Sequence, residues 1–277
     1  MAKIPRVLII AGSDSGGGAG IQGDAKTVTC LGGYAATAIT ALTAQNTKGV
    51  FGIHEVPVDF IKQQIELVLS DIGADAIKTG MLHCAEVIQT VAQILTPYLT
   101  SPGARGEIKG IPLIVDPVMV AKGGSPLLER NSVESLKLLL IPKAYLITPN
   151  IPEAEILSGM KIDTVEDMET AGKALLSLGC HAVLMKGGHL HGNQLTDLLI
   201  TKDSVTPYYG ERIQTTSTHG TGCTLASAIA TGIARGMNLQ DAVKQARNYV
   251  SMAIQTAPKL GSGHGPLNHG HTVKFSG

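Results

Sequence analysis

The sequence predicts an α/β fold, with a central, mostly parallel β-sheet, helices on both faces and one small antiparallel hairpin. Three observations predict it. Short apolar, β-branched runs alternate along the chain with segments of helical periodicity, the pattern of repeated strand–helix–strand units. The 33 glycines and the absence of tryptophan suit a protein with many strand-to-helix turns. Asp14, Gln45, Met81, Asp116, Asn150 and Lys186 all fall at or just beyond predicted strand ends. In open α/β sheets that edge is where the ligand crevice lies.

Taken in order, Val7 to Ala11 reads as a buried strand, and Gly12 to Gly20 as a loop. Ile21 to Leu31 is helical, and the small-residue, β-branched run Tyr34 to Ala44 is read as one strand ending at Gln45-Asn46. Phe60 to Leu69 has helical spacing, Ala76-Ile77-Lys78 is a short strand closed by Thr79-Gly80-Met81, and Glu86 to Leu99 is a helix. The polar stretch Ser101 to Gly110 is a linker before the strand Ile111 to Asp116. Val133 to Leu140 is a helix, Tyr145 to Thr148 a strand, and Pro152 to Leu157 the start of another helix. Val165 to Leu178 is helical and Ala182 to Lys186 is a strand. Leu195 to Ile200 and Val205 to Tyr209 form the hairpin, and the helices Cys223 to Arg235 and Leu239 to Ala257 follow. Residues 258–277, rich in glycine and histidine, are expected to be a loosely ordered tail. No internal repeat or long interior linker divides the 277 residues, so a single domain is expected.

Composition narrows the function. Lys plus Arg, at 22, balances Asp plus Glu, at 22, so charge favours neither nucleic acid nor an acidic membrane as partner. The four cysteines, Cys30, Cys84, Cys180 and Cys223, lack the close spacing of a zinc or redox motif, and a cytoplasmic setting is expected. Val7 to Ile10 is too short for a signal peptide, and no apolar run approaches membrane-spanning length.

Several motifs carry chemistry. His219-Gly220-Thr221-Gly222-Cys223 runs directly into the small-residue helix Thr224-Leu225-Ala226. A glycine-paired turn at a helix start presents unpaired N–H groups and partial positive charge, which suit an anion. Such a position lowers the pKa of a cysteine, so Cys223 is a candidate base with His219 as a competitor, although a packed free cysteine is the plainer reading. Gly18-Ala19-Gly20-Ile21-Gln22-Gly23 matches G-x-G-x-x-G, but a dinucleotide fold wants an acid ~20 residues on, and after Asp24 the next is Glu55. Asn150-Ile151-Pro152-Glu153 opens a helix. Its amide and carboxylate could share a hydrated Mg²⁺, but the spacing alone favours a capping box. Asp116 before Pro117 is either a metal-associated carboxylate or a turn residue. Lys186-Gly187-Gly188 is either a counter-charge for a transferring phosphoryl or a snorkelling lysine. His189 with His191, and His269 with His271, lack a third metal ligand, and the second pair is assigned to the solvated tail.

Together these stretches resemble a known family. Ile9 to Gln22 is similar to the N-terminal signature of the hydroxymethylpyrimidine/phosphomethylpyrimidine kinases, the thiamine-pathway branch of the ribokinase-like superfamily. The likeness continues through Thr40 to Asn46, Lys78 to Met81, Val115 to Met119, Thr148-Pro149-Asn150 with Glu153, Lys186 to His189, and His219 to Cys223. The resemblance implies a ribokinase-like three-layer α/β/α fold and an ATP- and Mg²⁺-dependent kinase. Such an enzyme phosphorylates 4-amino-5-hydroxymethyl-2-methylpyrimidine and then its monophosphate. It further implies that Gln45 binds the pyrimidine, with Asp24, Gly12, Ala19 and Met81 beside it. Lys186, Thr148, Asn150 and Gly222 would serve the nucleotide, and Asp116, Asn150 and Glu153 the metal. Gly220, Thr221 and Gly222 would form the anion hole, Lys186 would contact the transferring phosphate, and Cys223 would be the base. Most of the superfamily has aspartate there, so the cysteine points to this branch. Thr196 and Asp197 are expected to border the nucleotide, and a homodimer is the family expectation. The alternatives are a pyridoxal or pyridoxine kinase, an NAD-dependent oxidoreductase and a non-catalytic pyrimidine-binding domain.

Overall fold

A computed structural model describes residues 3–99, 110–121, 124, 127–129, 131–190 and 192–273. Most of the Ser101 to Gly110 linker and His191 therefore lie outside the described residues.

Each central strand is a short apolar run whose alternate side chains serve opposite faces of the sheet, as the period of two requires. In β1 (Arg6–Ala11), Leu8 and Ile10 face one core, while Val7, Ile9 and Ala11 face the other. The same alternation holds in β6 (Leu113–Val115), β8 (Ala182–Met185) and β9 (Gln194–Thr201). The first core is covered by α2 (Val58–Asp71), α3 (Ala85–Leu95), α5 (Ile151–Ser158) and α6 (Val165–Leu176). The second is covered by α1 (Gly20–Cys30), α7 (Thr221–Ala234) and α8 (Leu239–Gln255). Two helical layers on one sheet make the expected three-layer fold.

With β2 (Tyr34–Ile39), β5 (Ala76–Thr79), β7 (Leu146–Ile147) and β10 (Val205–Glu211), the sheet order is β10-β9-β8-β7-β6-β5-β1-β2. The strands from β2 to β8 are parallel, and β9 joins β8 antiparallel. The expected hairpin, β9 with β10, thus forms an edge of the main sheet. The chain leaves β1 for β2 on one side and returns as β5 on the other. The loops after β1 and β5 therefore diverge, opening a crevice at their carboxyl ends.

The run Tyr34 to Ala44 is not one strand. It breaks at Thr40, whose N–H donates to the Ala11 carbonyl at 3.1 Å and whose hydroxyl donates to the Met81 carbonyl at 2.7 Å. Those bonds turn the chain off the sheet into a separate antiparallel hairpin of β3 (Ala41–Asn46) and β4 (Gly49–Glu55). β4 escapes sequence reading because the hairpin buries neither face fully, so no clean alternation marks it, and Phe51 is 72% exposed. The expected helix Val133 to Leu140 is α4 (Ser132–Ser135) followed by a π-helical turn over Leu136–Leu140, beyond which Pro142 offers no N–H to continue it. α3 stops at Leu95 rather than Leu99, because Pro97 cannot donate to the Gln93 carbonyl.

The C-terminal segment is the largest departure within residues 258–277. Leu267 and His269 are buried. The Asn268 N–H donates to Ala253, the Tyr249 hydroxyl donates to the His269 carbonyl at 2.6 Å, and His264 N–H reaches the Thr47 carbonyl at 2.7 Å. His269 and His271 pack in place here instead of lying in solvent. Burial pushes the His269 imidazole down to about 4, helped by Lys26 and His271.

Candidate active site

The loop after β1 is organised by Asp14. Its carboxylate accepts the N–H groups of Gly16 at 2.8 Å, Gly18 at 3.1 Å and Ala19 at 2.8 Å, curling the glycine run around one charge. His219 Nε2 adds a 2.7 Å contact to the same carboxylate. Burial pushes the Asp14 carboxyl up, but His219 and the Ala19 N–H more than reverse this, and it ends below its ordinary value. Ser15 pins the loop to β3, its hydroxyl meeting both the Gln45 carbonyl and the Gln45 N–H at 2.9 Å. Gly12 donates to the Met81 carbonyl at 3.1 Å, and a Cβ on Gly12 would lie 2.9 Å from Met81 Sδ. Gly12, Ala19, Gln45 and Met81, expected at one acceptor pocket, are thus brought together.

The anion loop closes on this pocket from the other side. Gly220 has φ +86°, and a Cβ there would collide with the Gly18 carbonyl, so the conformation and the close approach both require glycine. No side chain caps α7, and the Thr221 N–H donates to the Thr218 carbonyl at 3.4 Å, so the open donors of its first turn are the Gly222 and Cys223 N–H groups. A Cβ on Gly222 would stand 3.3 Å from Lys186 Nζ and 3.6 Å from Asp116 Oδ2. The anion loop, the lysine after β8 and the aspartate after β6 therefore meet at one point, although Thr221 turns its hydroxyl back to the Thr218 carbonyl at 2.8 Å.

Lys186 Nζ donates to Asp116 Oδ1 at 3.1 Å, and the Thr148 hydroxyl donates to the same oxygen at 3.0 Å. Burial alone would lower the Lys186 ammonium, but Asp116 and Glu153 raise it overall, so it stays charged. Asn150 and Glu153 form a full capping box. Asn150 Oδ1 accepts the Glu153 N–H at 2.9 Å, and Glu153 Oε2 accepts the Asn150 N–H at 2.8 Å. Burial pushes the Glu153 carboxyl up to about 7, with Lys186 opposing and Asp116 adding to the rise.

Beneath Cys223 lies an ion pair that the motifs did not assign. Lys78 Nζ donates to Asp24 Oδ2 at 2.8 Å, both side chains are 0% exposed, and the Ser227 hydroxyl donates to Asp24 Oδ1 at 2.7 Å. Burial would lower Lys78, but Asp24, Cys223 and Asp116 raise it overall. Cys223 itself departs from the helix-start expectation. Burial pushes its thiol up to about 12, against the pull of Lys78 and the Gly20 N–H, so the group rests as a thiol.

Three of the expected site residues have other partners in the fold. Asp24 has both oxygens engaged within the core and presents no surface to an acceptor. Thr148 is wholly buried, and its hydroxyl donates to Asp116. Asp197 accepts the Gly187 N–H at 2.9 Å and Arg247 Nε at 2.8 Å, fixing the strand that carries Lys186. Sequence reading set Asp14 at the crevice edge without a role and gave Lys78 none. A lysine inside an apolar strand is the signal that could have found the second.

The chain is similar to known kinases over most of its length. The family described as phosphomethylpyrimidine kinase matches residues 14–268. The thiamine biosynthesis bifunctional protein ThiED of Geobacter sulfurreducens is 51% identical over 270 residues, covering 97% of this chain, which spans only 53% of that longer protein. The hydroxymethylpyrimidine/phosphomethylpyrimidine kinase of Bacillus subtilis is 46% identical over 268 residues, covering 96% of this chain and 95% of the relative. Among solved structures, the pyridoxal kinase of Staphylococcus aureus in complex with AMP-PCP and pyridoxal superposes with a TM-score of 0.87 at 32% identity, covering 99% of this chain and 96% of that one. On the full-length match and these identities, the chain belongs to the phosphomethylpyrimidine kinase family.

Proposed function

We propose that this chain transfers the γ-phosphoryl of ATP to the hydroxymethyl group of 4-amino-5-hydroxymethyl-2-methylpyrimidine, and then to the resulting monophosphate. The observation that carries the reading is the approach of Gly222 to Lys186 and Asp116, one residue before Cys223 and across from the Gln45 pocket. It sets an anion cradle between a counter-charge and an acceptor site.

In phosphoryl transfer, positioning and electrostatics supply most of the rate. Lys186 and the first-turn N–H groups of α7 hold the transferring group and the charge that develops on it. Cys223 borders the acceptor hydroxyl, and because burial holds its thiol up at about 12, only the small thiolate fraction, its proton already given to bulk water, takes the hydroxyl proton as the O–P bond forms and ADP leaves. Gln45 positions the ring, with Met81 and Gly12 as its walls.

Asp116 and Glu153 are two buried carboxyls near Lys186, and Asp116 adds to the rise that burial gives Glu153. An oxygen-only donor set of this kind fits Mg²⁺, with Asn150 and Glu153 acting through water because their capping box occupies them. Bound there, Mg²⁺ would neutralise phosphate oxygens. A cytoplasmic homodimer is the accompanying reading, supported by the exposed Leu42 and Phe51 on the β3–β4 hairpin. No helix among the described residues is long and apolar enough to cross a membrane.

A pyridoxal kinase is the second reading, favoured by the TM-score to the Staphylococcus aureus enzyme, while the higher identity to the pyrimidine kinases weighs against it. ADP production with the hydroxymethylpyrimidine, its monophosphate, pyridoxine and ribose, offered separately, tests both. Turnover of the first two is expected, and turnover of pyridoxine alone would replace the reading.

A further inference from the structure

His219 is held where it controls an amide. Its Nε2 stands 2.7 Å from Asp14 Oδ2 and 3.3 Å from the Gln45 side-chain amide. Whether the ring is neutral with its proton on Nε2 or fully protonated, Nε2 donates to the carboxylate, so it has no lone pair left for Gln45. The atom that Gln45 turns toward His219 must therefore be an acceptor. The other end of the amide gives the same answer. The single hydroxyl proton of Thr43 goes to the Ser13 carbonyl, 2.8 Å away, because a carbonyl can only accept. The Gln45 atom 3.2 Å from that hydroxyl must then be a donor. Amide oxygen and nitrogen have nearly the same shape, and only the network distinguishes them. The placement that sets Nε2 against His219 puts two donors face to face at one end and two acceptors at the other. The reverse placement removes both clashes, with the single Nε2 hydrogen given mainly to Asp14 and shared with the Gln45 oxygen.

We infer that His219, anchored by Asp14, is a positioning residue that locks the Gln45 amide with its oxygen toward His219 and its nitrogen toward Thr43, and so selects an acceptor ring carrying an amino group beside a ring nitrogen. Each amide atom keeps one free position, a lone pair on oxygen and an N–H on nitrogen. That acceptor–donor edge pairs with the donor–acceptor edge of a 4-aminopyrimidine. A 4-oxo pyrimidine presents the reverse order, and a locked amide refuses it. The contacts span three loops, and none is with Cys223, so the lock governs which ring is accepted rather than the transfer itself. The inference rests on the proposed pyrimidine acceptor.

The test compares the 4-amino acceptor with its 4-oxo counterpart, by calorimetric binding and by ADP production, in the wild-type enzyme, His219→Leu and His219→Gln. The wild type is expected to favour the amino ring by roughly a hundredfold or more, as a site built around hydrogen bonds rejects mismatched analogues strongly. His219→Leu frees the amide to turn over. Discrimination should then fall by about tenfold or more, with the loss falling more on KM for the amino acceptor than on kcat. His219→Gln, which can still donate to both partners, should recover part of the discrimination. Unchanged discrimination in a folded His219→Leu, or equal binding of the two rings by the wild type, overturns the inference. Calorimetry keeps this separate from the kinase reading, since selective binding without ADP production would sink the latter alone.

Discussion

The two ends of the crevice are built from different material. At the end proposed for phosphate, Lys78, Asp24, Lys186 and Asp116 stand on strand ends and the first helix, and each charge faces an opposite one. At the acceptor end, Asp14, Gln45 and His219 come from a glycine loop, a detached hairpin and the turn before α7, joined by hydrogen bonds across parts of the chain. The C-terminal segment closes that end, since it holds both the hairpin turn through Thr47 and the anion loop through the His219 N–H to Gly265 bond of 3.1 Å. The phosphate end is thus continuous with the folding core, and damage there is damage to stability. The acceptor end is secured by loops, so substrate choice can shift with little cost to the fold.

Cys223 sits where the ends meet. Cys223→Ala is expected to lower kcat by ~10²–10⁴, the usual worth of a positioned base, with KM for the pyrimidine near normal. Unchanged kcat would mean that the thiol only packs. The contrast itself is tested by Lys78→Met, which leaves the Asp24 carboxyl in the core without its cation. Denaturant unfolding should show a loss of about 3–5 kcal/mol, whereas His219→Leu should lose far less. Equal losses would erase the distinction between the two ends.

A pH series probes the C-terminal segment. His269 is held neutral by burial, its pKa falling from about 6.5 in the unfolded chain to about 4 in the fold. Below the unfolded value, the unfolded state binds a proton that the native state refuses. This contribution is therefore intact above the unfolded value and is lost as pH falls through that interval. It should amount to about 3 kcal/mol at the acid end. His269→Gln should flatten the unfolding curve over the interval, and an unchanged slope would show that the segment does not carry it. The smallest effect is expected from Asn150→Ala. Losing one capping residue costs about 1 kcal/mol, read as a small drop in Tm. A much larger fall in ADP production would then place Asn150 directly on the nucleotide.

Much of this was legible from the sequence because its causes are local. The period-two strands, the glycine turn ahead of Cys223, the Asn150–Glu153 capping box and the alternation that sets the three layers each depend on residues within a few positions of one another. Thr40 was not legible as a break, because what turns the chain there is bonding to Ala11 and Met81, not its own propensity. The packed C-terminal segment hid for the same reason, since glycine and histidine signal solvent until Thr47, Ala253 and Tyr249 supply partners. Asp24 with Ser227 and Asp14 with His219 lie 203 and 205 residues apart, so only the fold could reveal them. Cys223 shows the division most clearly. Its place at a helix start is written in five consecutive residues, and taken alone that place argues for a thiolate. Its protonation state is a sum over everything packed around it, and there burial outweighs both the helix start and Lys78. The sequence by itself determined where the reactive group stands, and the tertiary structure decided in what form.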